Sequence, residues 1–114
     1  LVENDGGVRQ LIKRMLESNG YSVYDSASAE EALELVKQLD RIDLVLTDIV
    51  LQGMSGSELA EELQSIFPNI SIMFMSGFAG KALEYLNDMK ADAHVLPKPF
   101  TRNVLLQKVA QLIH

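Results

Sequence analysis

Two hydrophobic rhythms alternate along the chain. "LVE" is a short apolar run, and from Val8 the apolar residues fall at Val8, Leu11, Ile12, Met15 and Leu16. That spacing marks one face of a helix. Asp5 suits its N-cap. Asn19 and Gly20, which tolerate left-handed backbone, suit its end. "YSVYDSA" alternates and is rich in aromatic and β-branched residues, so it predicts a strand. "SAEE" at 28–31 has the form of a capping box and opens a helix carrying Ala32, Leu33, Val36 and Leu39. "IDLVLTD" is apolar almost throughout, as in a strand buried on both faces.

The second half repeats the alternation. "QGMSG" is a loop, and "SGSE" is a second capping-box pattern before Leu59, Ala60, Leu63, Ile66 and Phe67. Pro68 and Asn69 stop that helix. "ISIMFMS" predicts a strand, Ala82, Leu83, Leu86 and Met89 a weaker fourth helix, and "AHVLP" a short strand. Thr101 caps a last helix using Leu105, Val109, Leu112 and Ile113. Five such β–α units predict an α/β fold: a parallel sheet, helices on both faces, right-handed crossovers. Ligands of open sheets of this kind bind beyond the carboxyl ends of the strands.

Composition narrows the function. The 114 residues suit one domain, 1–114, and 47% hydrophobic content supplies a core. Leu1 already lies in a strand pattern, which predicts a piece of a longer chain. A formal net charge of -6 argues against direct nucleic-acid binding and against an anionic membrane surface. There is no cysteine, hence no thiolate metal site or thiol nucleophile. No apolar run reaches membrane-spanning length and no signal peptide is visible, so no membrane insertion is expected and a cytoplasmic location fits.

Chemistry collects at the predicted strand ends. The first offers Glu3, Asn4 and Asp5; the third, Asp48 and the backbone of 49–51; the fourth, Ser76 and Gly77; the fifth, Lys98 and Pro99. Carboxylate, amide and carbonyl oxygens are hard ligands suited to Mg²⁺. A carboxylate there can act as nucleophile toward a phosphoryl group, giving an aspartyl phosphate. Lys98 supplies a second positive charge and Ser76 a hydroxyl donor. The glycine-rich nucleotide loops are absent.

Each residue also has a plainer reading. Asp5 is better explained as a cap or a solvated acid. Ser76 alone is a turn residue, and Lys98 between two prolines is a surface lysine. Met73, Phe74 and Met75 are packing residues. His94 and His114 have nothing to pair with as metal ligands. The weight comes from four strand ends carrying complementary groups together.

These stretches resemble a known family. "LVEN", "DLVLTDIVLQGMSG", "MFMSG" and "LPKPF" together resemble the receiver domain of two-component response regulators, across essentially all 114 residues. The resemblance implies a flavodoxin-like, CheY-like doubly wound five-stranded sheet of order 2-1-3-4-5. It implies Asp48 as phosphoacceptor, with Glu3, Asn4, Asp48 and the backbone carbonyl of Val50 around Mg²⁺. Lys98 would contact the phosphoryl group, Ser76 would be the switch hydroxyl, and Lys98–Pro99 would be cis. The implied partner is a sensor histidine kinase or a histidine phosphotransfer domain carrying a phosphohistidine. The domain would catalyse its own phosphoryl transfer without being a stand-alone enzyme. The interaction and homodimer face would lie around 82–89 and 95–106. The "MSGF…LPKPF" style resembles receivers attached to hybrid histidine kinases.

Three positions depart from the family pattern. Asn4 stands where a second acid is usual, Gln52 where proline is common, and Val95 where the switch aromatic is usual. Asn4 removes one negative charge and predicts weaker Mg²⁺ binding. Val95 removes the aromatic that would rotate behind Ser76, for which Phe78 is the nearest substitute. These departures motivate an alternative, a degenerate receiver that binds proteins independently of phosphorylation. A haloacid-dehalogenase phosphatase would need an Asp at Val50 and usually a cap domain. A flavodoxin would need a Ser/Thr-rich phosphate loop after the first strand.

Overall fold

The computed structural model describes residues 1–49, 51, 54–77 and 94–113. Four helices and three strands are built from them: α1 Gly6–Glu17, α2 Ala29–Val36, β1 Leu44–Asp48, α3 Gly56–Ile66, β2 Ser71–Ser76, β3 His94–Pro97 and α4 Arg102–Leu112. The fourth predicted helix, with Val50, Gln52, Phe78 and His114, lies outside the described residues.

The helix starts follow the capping chemistry of the sequence. Asp5 accepts from the Val8 amide at 3.0 Å, Ser28 from Glu31 at 3.2 Å, and Thr101 from Val104 at 3.2 Å. Ser55 and Glu58 form a reciprocal box, each side chain accepting from the other's amide. At Ser28 the box is modified: Glu31 reaches past the cap to the Ala27 amide at 3.1 Å. Past the end of α1, Gly20 takes φ +89°, a conformation that side-chain-bearing residues disfavour.

β1, β2 and β3 form a parallel sheet in that order, with Asp48 beside Met75 and Ser76 beside Pro97. The first two predicted strands differ from expectation. Each appears as an isolated bridge, with Val2 pairing to Ser26 on one side and Thr47 on the other. The Val2 amide donates to Leu46 and its carbonyl accepts from Asp48, while Glu3 donates to Ser26. The segment at Val2 is thus threaded between Ser26 and β1, although its pairing is too short to make a ladder. Tyr24 in "YSVYDSA" is 54% exposed, so the alternation there reports propensity more than burial.

Side-chain alternation splits the strands between two cores. Val45, Ile72 and Phe74 pack with Ala29, Val36, Leu59 and Leu63 of α2 and α3. Leu46, Met73, Met75 and Leu96 pack with Ile12, Leu16, Leu105 and Val109 of α1 and α4. The helices therefore cover both faces of the sheet, as parallel strands require. Each large side chain wholly buried here contributes about 1.5–3 kcal/mol relative to exposure. Ile66, read from sequence as part of the α3 apolar face, is instead half exposed. With both faces covered, the carboxyl edge of the sheet is where polar side chains gather.

Candidate functional site

Asp48 is the last residue of β1, Ser76 the last of β2, and Lys98 follows the last residue of β3. Glu3 follows the bridged Val2. The backbone locks these ends together. Ile49 donates to the Met75 carbonyl at 3.1 Å, and the Lys98 amide donates to the Ser76 carbonyl at 2.7 Å. The Lys98–Pro99 peptide bond is cis.

Lys98 Nζ stands between two acids, 2.7 Å from Glu3 Oε2 and 2.7 Å from Asp48 Oδ1. Glu3 is buried and its other oxygen, Oε1, accepts from the Asp5 amide at 3.2 Å. The Asp5 side chain itself turns away to cap α1. Asn4 is exposed at the same turn. Ser76 and Val95 are half-buried at the sheet edge and in β3, and Val95 lies beside Phe74 in register. The carbonyl of Val50 lies outside the described residues.

Two carboxylates face one ammonium, and the electrostatics divide unequally. Burial, then the adjoining Glu3 carboxylate, pushes Asp48 up to about 7, although Lys98 pulls the other way. For Glu3, burial also favours the neutral form, but hydrogen bonds from Asp48, Lys98 and the Asp5 amide outweigh it and hold its carboxyl below the usual range. Lys98 loses solvation as well, yet its bonds to Asp48 and then Glu3 keep its ammonium above its ordinary value. With both acids ionised the surplus is one negative charge, the arrangement that a cation relieves.

The donor set suits Mg²⁺ in kind. Glu3 and Asp48 offer hard carboxylate oxygens within one cluster, Asn4 carries an amide oxygen at the adjoining sequence position, and hydration can complete an octahedron. No group of three or more His, Cys, Asp or Glu that could hold a metal occurs among the described residues. Charge density is thus lower than in a three-carboxylate site. A cavity of about 500 Å³ lies elsewhere, lined by residues including Leu1, Tyr21, Val36 and Leu44 but not by Glu3, Asp48 or Lys98. The charged cluster lies at the carboxyl edge of the sheet.

Two supports were not apparent from sequence. A Cβ on Gly56 would stand 2.2 Å from the Asp48 carbonyl oxygen, so α3 starts directly against the backbone of Asp48. "GMSG" signalled a loop but not this approach. Arg9 donates through Nη1 to the Glu3 carbonyl at 2.8 Å and through Nε to Asp25 at 3.2 Å. No local pattern links Arg9 to an acid 16 positions away.

Residues 1–110 match the family described as the response regulator receiver domain. The chain belongs to that family. It is 38% identical to the sensor kinase CckA of Brucella abortus (strain 2308) over 116 residues, covering 99% of this chain and 12% of the kinase. It is 36% identical to the response regulator receiver protein CpdR of the same strain, covering 99% of this chain and 93% of that protein. It spans 48% of the cell cycle transcriptional regulator CtrA of Caulobacter vibrioides (strain NA1000 / CB15N), at 31% identity over 99% of this chain. Among solved structures, a receiver protein from Sinorhizobium medicae WSM419 superposes with a TM-score of 0.86 at 32% identity, covering 97% of this chain and 89% of that one. A receiver domain protein from Clostridium thermocellum gives 0.87 at 27%, covering 98% and 90%. The CheY-like fold is common to these relatives, and α/β layering with a parallel sheet is seen in this chain.

Proposed function

We propose that this receiver domain takes a phosphoryl group on Asp48 from a phosphohistidine, in a Mg²⁺-dependent relay. The observation that carries the reading is Lys98 Nζ held at 2.7 Å from both Glu3 and Asp48. A lysine shared by two acids at a sheet edge is poised to follow charge from carboxylate to phosphoryl oxygen. In the reaction an Asp48 carboxylate oxygen attacks phosphorus. The P–O bond forms as the P–N bond to the donor imidazole breaks, and the electron pair stays on the imidazole nitrogen. Glu3, Asn4, Asp48 and the Val50 carbonyl would hold Mg²⁺, which supplies positive charge against the phosphoryl oxygens and lowers the proton affinity of Asp48. Lys98 neutralises a phosphoryl oxygen and Ser76 donates to another. Val95 would leave the switch without its usual aromatic.

The strand order is proposed as 2-1-3-4-5, supported by the bridges that place Val2 between Ser26 and Thr47. The phosphodonor is a sensor histidine kinase or a histidine phosphotransfer domain. The similarity to the sensor kinase CckA supports a hybrid histidine kinase as parent; the location would be cytoplasmic, and pairing of two copies would use the 82–89 and 95–106 face. No helix of the described residues is long and apolar enough to cross a membrane. The three converging side chains give no support to a phosphorylation-independent alternative.

The test is transfer from a histidine-phosphorylated donor carrying radiolabelled phosphate. Label should move to this domain in the presence of Mg²⁺ and not to an Asp48→Asn variant. Equal labelling of both proteins, or none of either, would sink the reading.

A further inference from the structure

Glu3 is held from four directions. Its amide donates to Ser26, Oε1 accepts from Asp5 and Oε2 from Lys98. The fourth contact is the Arg9 guanidinium on its carbonyl. Among the described residues no other side chain donates to that oxygen. Helix geometry explains the reach. Side chains of α1 lean toward its N-terminus, so Arg9 lies over the first turn and back to the Glu3 turn.

The guanidinium is itself aimed. Asp25 Oδ2 accepts from Arg9 Nε at 3.2 Å, while Asp25 Oδ1 accepts from Lys13 Nζ at 3.0 Å. Arg9 and Asp25 side chains are each only 20% exposed. A planar fork with two separate edges can serve a carboxylate and a carbonyl at once, which a single ammonium cannot reproduce in both directions.

The Glu3 carbonyl belongs to the planar peptide that joins Glu3 to Asn4. Fixing its C=O direction fixes the Asn4 N–H and the direction in which the Asn4 side chain leaves the backbone. We propose that Arg9, braced by Asp25, is a positioning residue that sets this peptide plane and so pre-organises Glu3 and Asn4 as cation ligands. The inference rests on the phosphoacceptor reading for its cation. Its need is greatest at Asn4, where an amide oxygen brings no net charge to compensate for poor placement. Groups behind metal ligands commonly change affinity by about 10–100-fold when lost.

Charge alone predicts the opposite sign. Removing a cation near a Mg²⁺ site should tighten Mg²⁺ binding, whereas removing a positioning group should weaken it. Arg9→Met and Lys13→Met each take one positive charge from Asp25, but only Arg9 touches Glu3. The experiment compares these variants with wild type and with Arg9→Lys by NMR. The metal-free readout is the Glu3 carbonyl ¹³C and Asn4 amide ¹⁵N shifts. The second readout is the Mg²⁺ midpoint from the Asn4 and Asp48 amides. Arg9→Met and Arg9→Lys should displace both metal-free shifts and raise the midpoint roughly tenfold. Lys13→Met should do neither, keeping its midpoint within about twofold of wild type.

Unmoved metal-free shifts in both Arg9 variants would overturn the proposal. So would an unchanged or lower midpoint in them, or an equal rise in Lys13→Met. A wild-type protein indifferent to Mg²⁺ would instead count against the cation reading, and the metal-free shifts would still decide whether Arg9 sets the peptide plane.

Discussion

Lys98 Nζ lies 2.7 Å from Glu3 Oε2, across 95 positions of sequence, and 2.7 Å from Asp48 Oδ1. The contact closes the sheet edge, because Glu3 leaves the segment threaded at Val2 and Lys98 leaves β3. Without the lysine, the buried Glu3 and the part-buried Asp48 would oppose each other directly.

Lys98→Met should therefore destabilise the metal-free domain. Breaking a fully buried pair costs about 3–5 kcal/mol. Lys98 retains 26% exposure, and solvent screening lowers the expectation to about 1–3 kcal/mol. Urea unfolding in chelator-treated buffer measures it. Stability within experimental error of wild type would show that the bridge carries no net energy.

The raised Asp48 value gives a pH dependence of definite sign. A carboxyl whose folded value lies near 7 binds its proton more tightly folded than unfolded. Its contribution is complete below the unfolded value of 3.8 and is lost as pH rises through about 7. Glu3, held low, has already made its contribution above 4.5. Across that interval Asp48→Asn should gain stability relative to wild type as pH rises, in metal-free buffer. Parallel melting-temperature curves for the two proteins would contradict the assignment.

Gly56→Ala should disturb the backbone at Asp48. Its Cβ would meet Asp48 O at 2.2 Å and Ile49 Cα and O at 3.0 Å, all backbone atoms that cannot rotate away. Overpacking of this kind costs about 1–3 kcal/mol, and the shift falls on Asp48 itself. Gly77→Ala is the control, because no atom of the described residues lies within 4 Å of its added Cβ. It should stay within about 0.5 kcal/mol of wild type by urea unfolding.

Asn4 and Asp5, adjacent just before α1, should separate by role. Asp5→Ala loses the cap on Val8 and should cost about 1 kcal/mol while leaving the Mg²⁺ midpoint unchanged. Asn4→Asp adds a charged oxygen and should lower that midpoint roughly tenfold. A Mg²⁺ titration of both variants with thermal melts checks the division. A weakened midpoint in Asp5→Ala would make Asp5 a ligand.

Much of this arrangement was legible because it depends on local rules. The caps at Asp5, Ser28, Ser55 and Thr101 are set within three residues, and all four occur. The strand-end rule located Glu3, Asp48 and Lys98, whose convergence needs only a parallel sheet. Pairing is less local. "YSVYDSA" has strand composition, yet only Ser26 bridges Val2, since backbone pairing depends on the facing chain. Arg9 and Asp25 were invisible for a related reason: their geometry exists only after α1 packs beside the bridged segment. Ile66 kept the helical period but fell at the last residue of α3, where the face turns toward solvent.

The most direct test of the central claim is intact-mass analysis after incubation with acetyl phosphate and Mg²⁺, with peptide mapping of the product. The account predicts one added phosphoryl group, located on Asp48 and absent from Asp48→Asn and from samples without Mg²⁺. No mass increase in the wild-type protein, or the same increase in Asp48→Asn, would contradict it.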